Sequence, residues 1–156
     1  MATGTKTQGT QLFKVASATT SVEITNIQGG SPPSPQSDDI EITDLSSTAK
    51  EYIQGLRDYG EASFEMNWDP ANAVHQALQA DYDAGTSREW LIGFSDGTTA
   101  APTVSSSAFG TPATTRSWCK FVGYIKGIPK QLGTNSTVKQ TLTVRVSGSP
   151  TYYYKA

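Results

Sequence analysis

The stretch ASFEMNWDPANAVHQAL, Ala62 to Leu78, changes its period in the middle. Up to Trp68 it alternates: Ala62, Phe64, Met66 and Trp68 are apolar, with Ser63, Glu65 and Asn67 between them. A period of two puts one set on each face of a strand. After Asp69-Pro70 the apolar residues fall at helical spacing. Asp69 suits an N-cap and Pro70 the first helical position. Val74, Leu78 and Tyr82 make one stripe, with Ala71 and Ala77 beside it. Gly85 is a C-terminal stop. The pattern predicts a strand running directly into a single helix, 70–84.

Outward from this stretch, the remaining signals are β. TQLFKVAS (10–17) and SVEITNIQ (21–28) read as strands joined by Ala18-Thr19-Thr20. Gly29 to Pro35 reads as a breaker. DDIEITDL (38–45), with Ile40 and Ile42 on one face, and REWLIGFS (88–95), with Trp90, Ile92 and Phe94 on one face, are strands. So is SWCKFVGYIKG (117–127). In TVKQTLTVRVSG (137–148), Val138, Leu142, Val144 and Val146 face one way and Lys139, Thr141, Thr143 and Arg145 the other. The expected fold class is mainly β: an antiparallel β-sandwich or half-barrel with one flanking α-helix and a long interaction loop.

Length sets one domain, 1–156. Within it four segments are expected to lie outside the regular core: a mobile N-terminus 1–9, the loop 46–61, a Ser/Thr/Ala/Pro-rich insert 98–116 and an exposed tail 149–156. The loop SSTAKEYIQGLRDYGE has no clean period; a turn of helix or a small hairpin within it stays open. Its Lys50, Glu51, Tyr52, Ile53, Leu56, Arg57, Asp58 and Tyr59 mix apolar anchors with charge, as an interface does. The same residues would also suit a loop folded back on its own core.

Composition removes several function classes. Net charge is −2, so no general nucleic-acid surface is expected. The single cysteine, Cys119, cannot pair within the chain, and a buried, inert thiol is expected. The N-terminus lacks the apolar core of a signal peptide, and no run is long enough for a membrane helix. The chain therefore reads as made in a cytoplasm. The sequon at Asn135 is set down to chance. His75 is the only histidine and is expected to be a partly exposed helix residue. The carboxylate clusters Asp38, Asp39 and Glu41, and Asp81 and Asp83, match no acid–base pair or metal signature and are expected on solvated faces. GIPKQLG lacks the ending of a phosphate-binding loop. No catalytic residue, metal site or cofactor is expected.

DIEITDLSSTAKEYIQGLRDYGEASFEMNWDP (39–70) resembles the major tail tube proteins of long, non-contractile-tailed bacteriophages, which are related to the ring protein of type VI secretion. REWLIGFSDG and the segment from Trp118 to Gly148 fit the family's C-terminal half. The resemblance spans about residues 10–148. It implies six copies closing into a ring, and rings stacking into a tube around a tape-measure protein, between tail initiator and terminator proteins. DNA later passes through the channel, transiently and non-specifically. On this reading Glu61, Ser63, Glu65 and Asn67, with Lys139, Thr141, Thr143 and Arg145, face the channel, and the 46–61 loop reaches a neighbouring subunit or ring. The alternative is a β-sandwich binding or decoration module of a phage tail that recognises glycan or a host surface.

Overall fold

In the computed structural model, which describes residues 4–97 and 100–156, the alternating stretch is a strand near one end of a large antiparallel sheet. The described residues form, in chain order, β1 (Gln11–Val15), β2 (Ser21–Ile24), β3 (Ile27–Ser31), β4 (Gln36–Glu41), β5 (Tyr52–Asp58), β6 (Glu61–Asn67), α1 (Ala73–Ala84), β7 (Ser87–Gly93), β8 (Val104–Ser105), β9 (Ala108–Phe109), β10 (Trp118–Gly127), β11 (Lys130–Gln131), β12 (Lys139–Val146) and β13 (Thr151–Tyr153). The main sheet runs β2-β1-β7-β10-β12-β6-β3, with β11 on β12 and β13 on β10. Strands β4 and β5 form a separate hairpin, as do β8 and β9.

Strands β2 and β3 are the opposite edges of the sheet, yet only Thr25 and Asn26 separate them in sequence. Laid flat, seven strands would hold their edges about 29 Å apart. The chain from Ile24 to Ile27 can span at most about 11 Å. The sheet must therefore roll until its edges approach. Asn26 makes the corner with φ 64°, a left-handed conformation that asparagine tolerates better than most residues. The roll is not closed: β2 and β3 share no hydrogen-bonded ladder among the described residues. A cleft remains between the N-terminal segment and β3, lined by Leu12, Ile27, Phe64, Ile92 and Phe94. The expected half-barrel is thus an open roll.

Inside the roll lies the main core, which includes Leu12, Ile24, Ala62, Phe64, Met66, Trp90, Phe121, Leu142 and Val144. Trp90 and Phe121 stack with centroids 6.5 Å apart, and Trp90 Nε1 donates to the Gly123 carbonyl at 3.1 Å. Gly123 has to be glycine, because a Cβ there would sit 2.4 Å from the Arg145 carbonyl oxygen.

The helix stoppers the roll, although not with the expected face. It begins at Ala73, capped by the Asn72 side chain, which accepts from Val74 N at 2.9 Å. Asp69 and Pro70 belong to the preceding turn, where Asp69 Oδ1 accepts from Ala71 N. Gly85 ends the helix in the left-handed conformation (φ 63°), as its position predicts. The buried residues are His75, Leu78 and Asp81, spaced three apart, whereas Tyr82 is exposed. His75 is 1% exposed, which corrects its expected surface position. Its Nδ1 accepts from Asp69 N at 3.0 Å, leaving Nε2 to donate to the Thr25 carbonyl at 3.2 Å. Asn72 Nδ2 also donates to Thr25 Oγ1. The start of the helix is thereby pinned to the two-residue corner.

Its other end is pinned by charge. Asp81, expected on a solvated face, is buried and ion-pairs with Lys14 of β1 and with Arg88 of β7 (3.0 Å). Lys14 is itself 2% exposed. Burial pushes its ammonium below the usual lysine range, and the hydrogen bond to Asp81 pulls it back up.

Three segments expected to be irregular are ordered. The tail contributes β13, which pairs Thr151–Tyr153 with β10. Ala156 N donates to the Thr114 carbonyl at 3.1 Å. The insert 98–116, whose first two residues lie outside the described ones, is a cover rather than a free loop. Its β8–β9 hairpin places Phe109 among Phe13, Val15, Leu91 and Trp118 in a second core on the outer face of the sheet. Arg116 locks it down, donating to the Phe94 carbonyl at 2.8 Å and Gln11 Oε1 at 2.7 Å and lying 4.8 Å from the Trp118 ring centroid. The Gly29–Pro35 breaker starts later than expected, since β3 runs through Ser31. For the N-terminal segment, residues 1–3 lie outside the described ones, and residues 4–9 are exposed.

The buried ion cluster gives a direct test. Asp81→Ala strands a buried ammonium and is expected to lower unfolding free energy by about 3–5 kcal/mol. Urea denaturation followed by circular dichroism measures it. The double change Lys14→Met with Asp81→Leu is expected to recover most of that loss.

Candidate functional site

Two surfaces stand out, and both are extended rather than pocket-like. The first is the outer face of the β6–β12 ladder. Its register sets Glu61 opposite Arg145, Ser63 opposite Thr143, Glu65 opposite Thr141 and Asn67 opposite Lys139. All eight residues expected to form a polar row therefore share one face, because directly opposed residues point the same way. The intervening Ala62, Phe64, Met66, Leu142 and Val144 are buried on the other.

The next strand extends this face. Tyr124 of β10 pairs with Arg145, placing Val122, Tyr124 and Lys126 on the same side. Sequence reading missed these three. Their alternation with Phe121, Gly123 and Ile125 was visible, but valine and tyrosine on the outer side hid the polarity. The insert and β13 cover the outer face only over β1, β7 and the start of β10. Beyond that cover the face is bare.

Charge on the bare face is largely cancelled. Lys126 ion-pairs with Glu61. Arg145 Nη2 donates to both oxygens of Asp58, at 3.0 and 2.8 Å. The Gly60 backbone N–H and then Arg145 hold the Asp58 carboxyl below its usual range, and Asp58 in turn raises Arg145.

The second surface is the β4–β5 hairpin. The 46–61 segment is neither a structureless loop nor folded back on the core. It supplies one arm of a hairpin whose strands pair only with each other among the described residues. Ile40 lies opposite Ile53, and Tyr52 opposite Glu41. Ile42 continues the Ile40 side, while Leu56 falls at a register shift between the Asp39–Gln54 and Ser37–Arg57 pairs. These apolar residues are exposed, Leu56 by 85%. Isolated two-stranded hairpins are marginal in water. Lys50 pairs loosely with Glu41 at 3.4 Å, Arg57 Nη2 donates to Gln54, and Glu51 sits at the turn end. Asp44 closes the tip by accepting from Ser46 and Ser47, which lowers its pKa. Tyr59 differs from its seven companions: it is half-buried against the core and accepts from Ser149 Oγ, so it belongs to the root of the arm.

No group of three or more His, Cys, Asp or Glu among the described residues is placed to hold a metal ion. Cys119 is buried in β10, and burial pushes its thiol pKa up, away from nucleophilic use. Asp38, Asp39 and Glu41 are exposed on the hairpin.

These surfaces can be set beside known proteins. The family model for the lambda-like phage tail tube matches residues 3–156. Structural protein 3 of Pseudomonas phage PAJU2 is 38% identical over 117 residues, covering 72% of this chain and 71% of that protein. The fold is similar to the SPP1 tail tube (TM-score 0.67, 11% identity, covering 96% of this chain and 78% of that one). It is also similar to a chain in the tail of an empty gene transfer agent particle, computed with C6 symmetry (TM-score 0.63, 13% identity, covering 92% and 95%). The chain belongs to the lambda-like phage tail tube family, and is a structural component of the virion tail rather than an enzyme.

Proposed function

We propose that copies of this chain close into rings of six and that the rings stack into the tail tube. Tape-measure protein occupies the channel first and DNA passes through later. Tail initiator and terminator proteins bound the tube, and assembly takes place in the host cytoplasm. The observation that carries the reading is the polar face of β6 and β12, which the insert and β13 leave bare. Such a face suits a wet channel wall: it alternates with a packed core, Glu61 and Arg145 each ion-pair within the chain, and the remaining Glu65 and Lys139 are opposite in sign. The C6 symmetry of the gene transfer agent tail supports six as the ring number.

Two further features support assembly. Both sheet edges, β2 and β3, carry unpaired backbone groups, which neighbouring subunits would cover. The β4–β5 arm, with Lys50 to Asp58 on its second strand, presents apolar side chains that need a partner. Tail tube membership favours this reading over the glycan-binding alternative.

Negative-stain electron microscopy of the purified protein at high concentration is expected to show stacked rings or tubes with a central hole. Leu56→Asp and Tyr52→Ala are expected to leave the monomer folded by circular dichroism while blocking tube growth. Normal tubes from both variants would remove the arm from assembly. A channel through which DNA must slide should not hold phosphates, since each neutralised phosphate adds salt-dependent affinity. DNA retention by preformed tubes is therefore expected to be weak and nearly flat with salt. Strong, salt-sensitive retention would contradict the assignment of the polar face to the channel.

A further inference from the structure

The arm and the rest of the chain differ in charge, and the difference has a direction. Residues 36–58 carry Asp38, Asp39, Glu41, Asp44, Glu51 and Asp58 against only Lys50 and Arg57, a net of −4. The whole chain is −2, so the remainder is +2. Among the described residues Asp38, Asp39, Asp44 and Glu51 have no basic partner within salt-bridge distance. Two arms brought together would repel, which disfavours a symmetric arm-to-arm contact.

The arm springs from the end of the β6–β12 ladder where Glu61 meets Arg145. The opposite end, where Asn67 meets Lys139, lies about 20 Å away along the strands. There β11 pairs with the start of β12, setting Lys130 opposite Gln140 and Gln131 opposite Lys139, so that the two lysines share this end of the sheet from its two faces. Lys130 and Lys139 have no carboxylate partner among the described residues. Lys130 rests its ammonium 5.0 Å from the Trp68 ring centroid. Leu132 follows it, 84% exposed. An acidic arm with exposed leucines thus leaves one end of the molecule, and at the other end wait an exposed leucine and two lysines, one on each face, without carboxylate partners among the described residues.

We propose that this Lys130–Leu132 end, rimmed by Lys139, receives the β4–β5 arm of a second copy of the chain. The contact is head-to-tail, along the strand direction. Leu56 or Leu45 of the arm meets Leu132, and the arm carboxylates meet Lys130 and Lys139. Such a contact uses two different patches, so it propagates instead of closing on a dimer. The proposal rests on the tube reading and names the partner surface that reading leaves open.

Zero-length carbodiimide cross-linking of tubes tests it, using an equal mixture of isotope-labelled and unlabelled chains so that mass spectrometry separates links between copies from links within one. Links between copies are expected from Lys130 or Lys139 to Asp38, Asp39, Asp44 or Glu51. Lys130→Glu is expected to raise the concentration needed for tube growth by roughly tenfold. Adding Asp38→Lys and Asp39→Lys to that chain is expected to restore growth, which a merely misfolded variant would not show. Tubes whose arm carboxylates link to other lysines would overturn the contact and leave the tube reading standing. A wild-type chain that forms only discrete, unstacked oligomers would overturn both.

Discussion

The fold depends on a short tether. Thr25 and Asn26 join the two edges of a sheet seven strands across, and no flat or gently twisted sheet can satisfy that connection. Rolling the sheet creates an interior, but it also leaves an end that the sheet cannot seal by itself. The single helix of the described residues seals it. The corner also anchors that helix, through Thr25 to His75 and Asn72, while Lys14 and Arg88 hold its far end through Asp81. Removing either anchor would expose the core that the roll was formed to bury.

The outer face of the roll is divided between two uses. Over β1, β7 and the start of β10, the chain spends its insert and its tail as a lid on Phe13, Leu91 and Trp118. Over β6, β12 and the end of β10, it leaves the sheet uncovered and makes the outward residues polar. Two unpaired edges and a hairpin without a partner are liabilities in a monomer. All are resolved together if copies of the chain cover one another.

How much was legible in the sequence follows from what each element faces. Ala62–Trp68 and Val138–Val146 were read correctly because each strand has one dry face and one wet face, and a period of two survives that. Only half of the arm was: Ile40 and Ile42 marked its first strand, whereas both faces of β5 meet solvent, no period is imposed there, and that strand looks like a loop. The helix was found, but its inner face was misjudged. A search for apolar spacing selects Val74, Leu78 and Tyr82, whereas two of the three buried positions are polar and satisfied by partners far away in sequence. Asp69 was read as the cap, a role that Asn72 fills, because the proline after it looked like a first helical residue. The insert was taken for a free loop since a two-strand cover with one aromatic anchor, Phe109, leaves almost no pattern. The eight residues of the polar row were found by alternation alone, but their direct pairing across one ladder depends on register, which no single strand reveals.

The account holds that this subunit is incomplete until other copies cover its edges and arm. Hydrogen–deuterium exchange, compared between the free chain and the assembled tube, tests that most directly. It predicts fast exchange of backbone amides in β4 and β5 and along the outer edge of β3 in the free chain, all slowed strongly in the tube, with β7 and β10 protected in both. Exchange of the arm and the edge that is unchanged on assembly would contradict it.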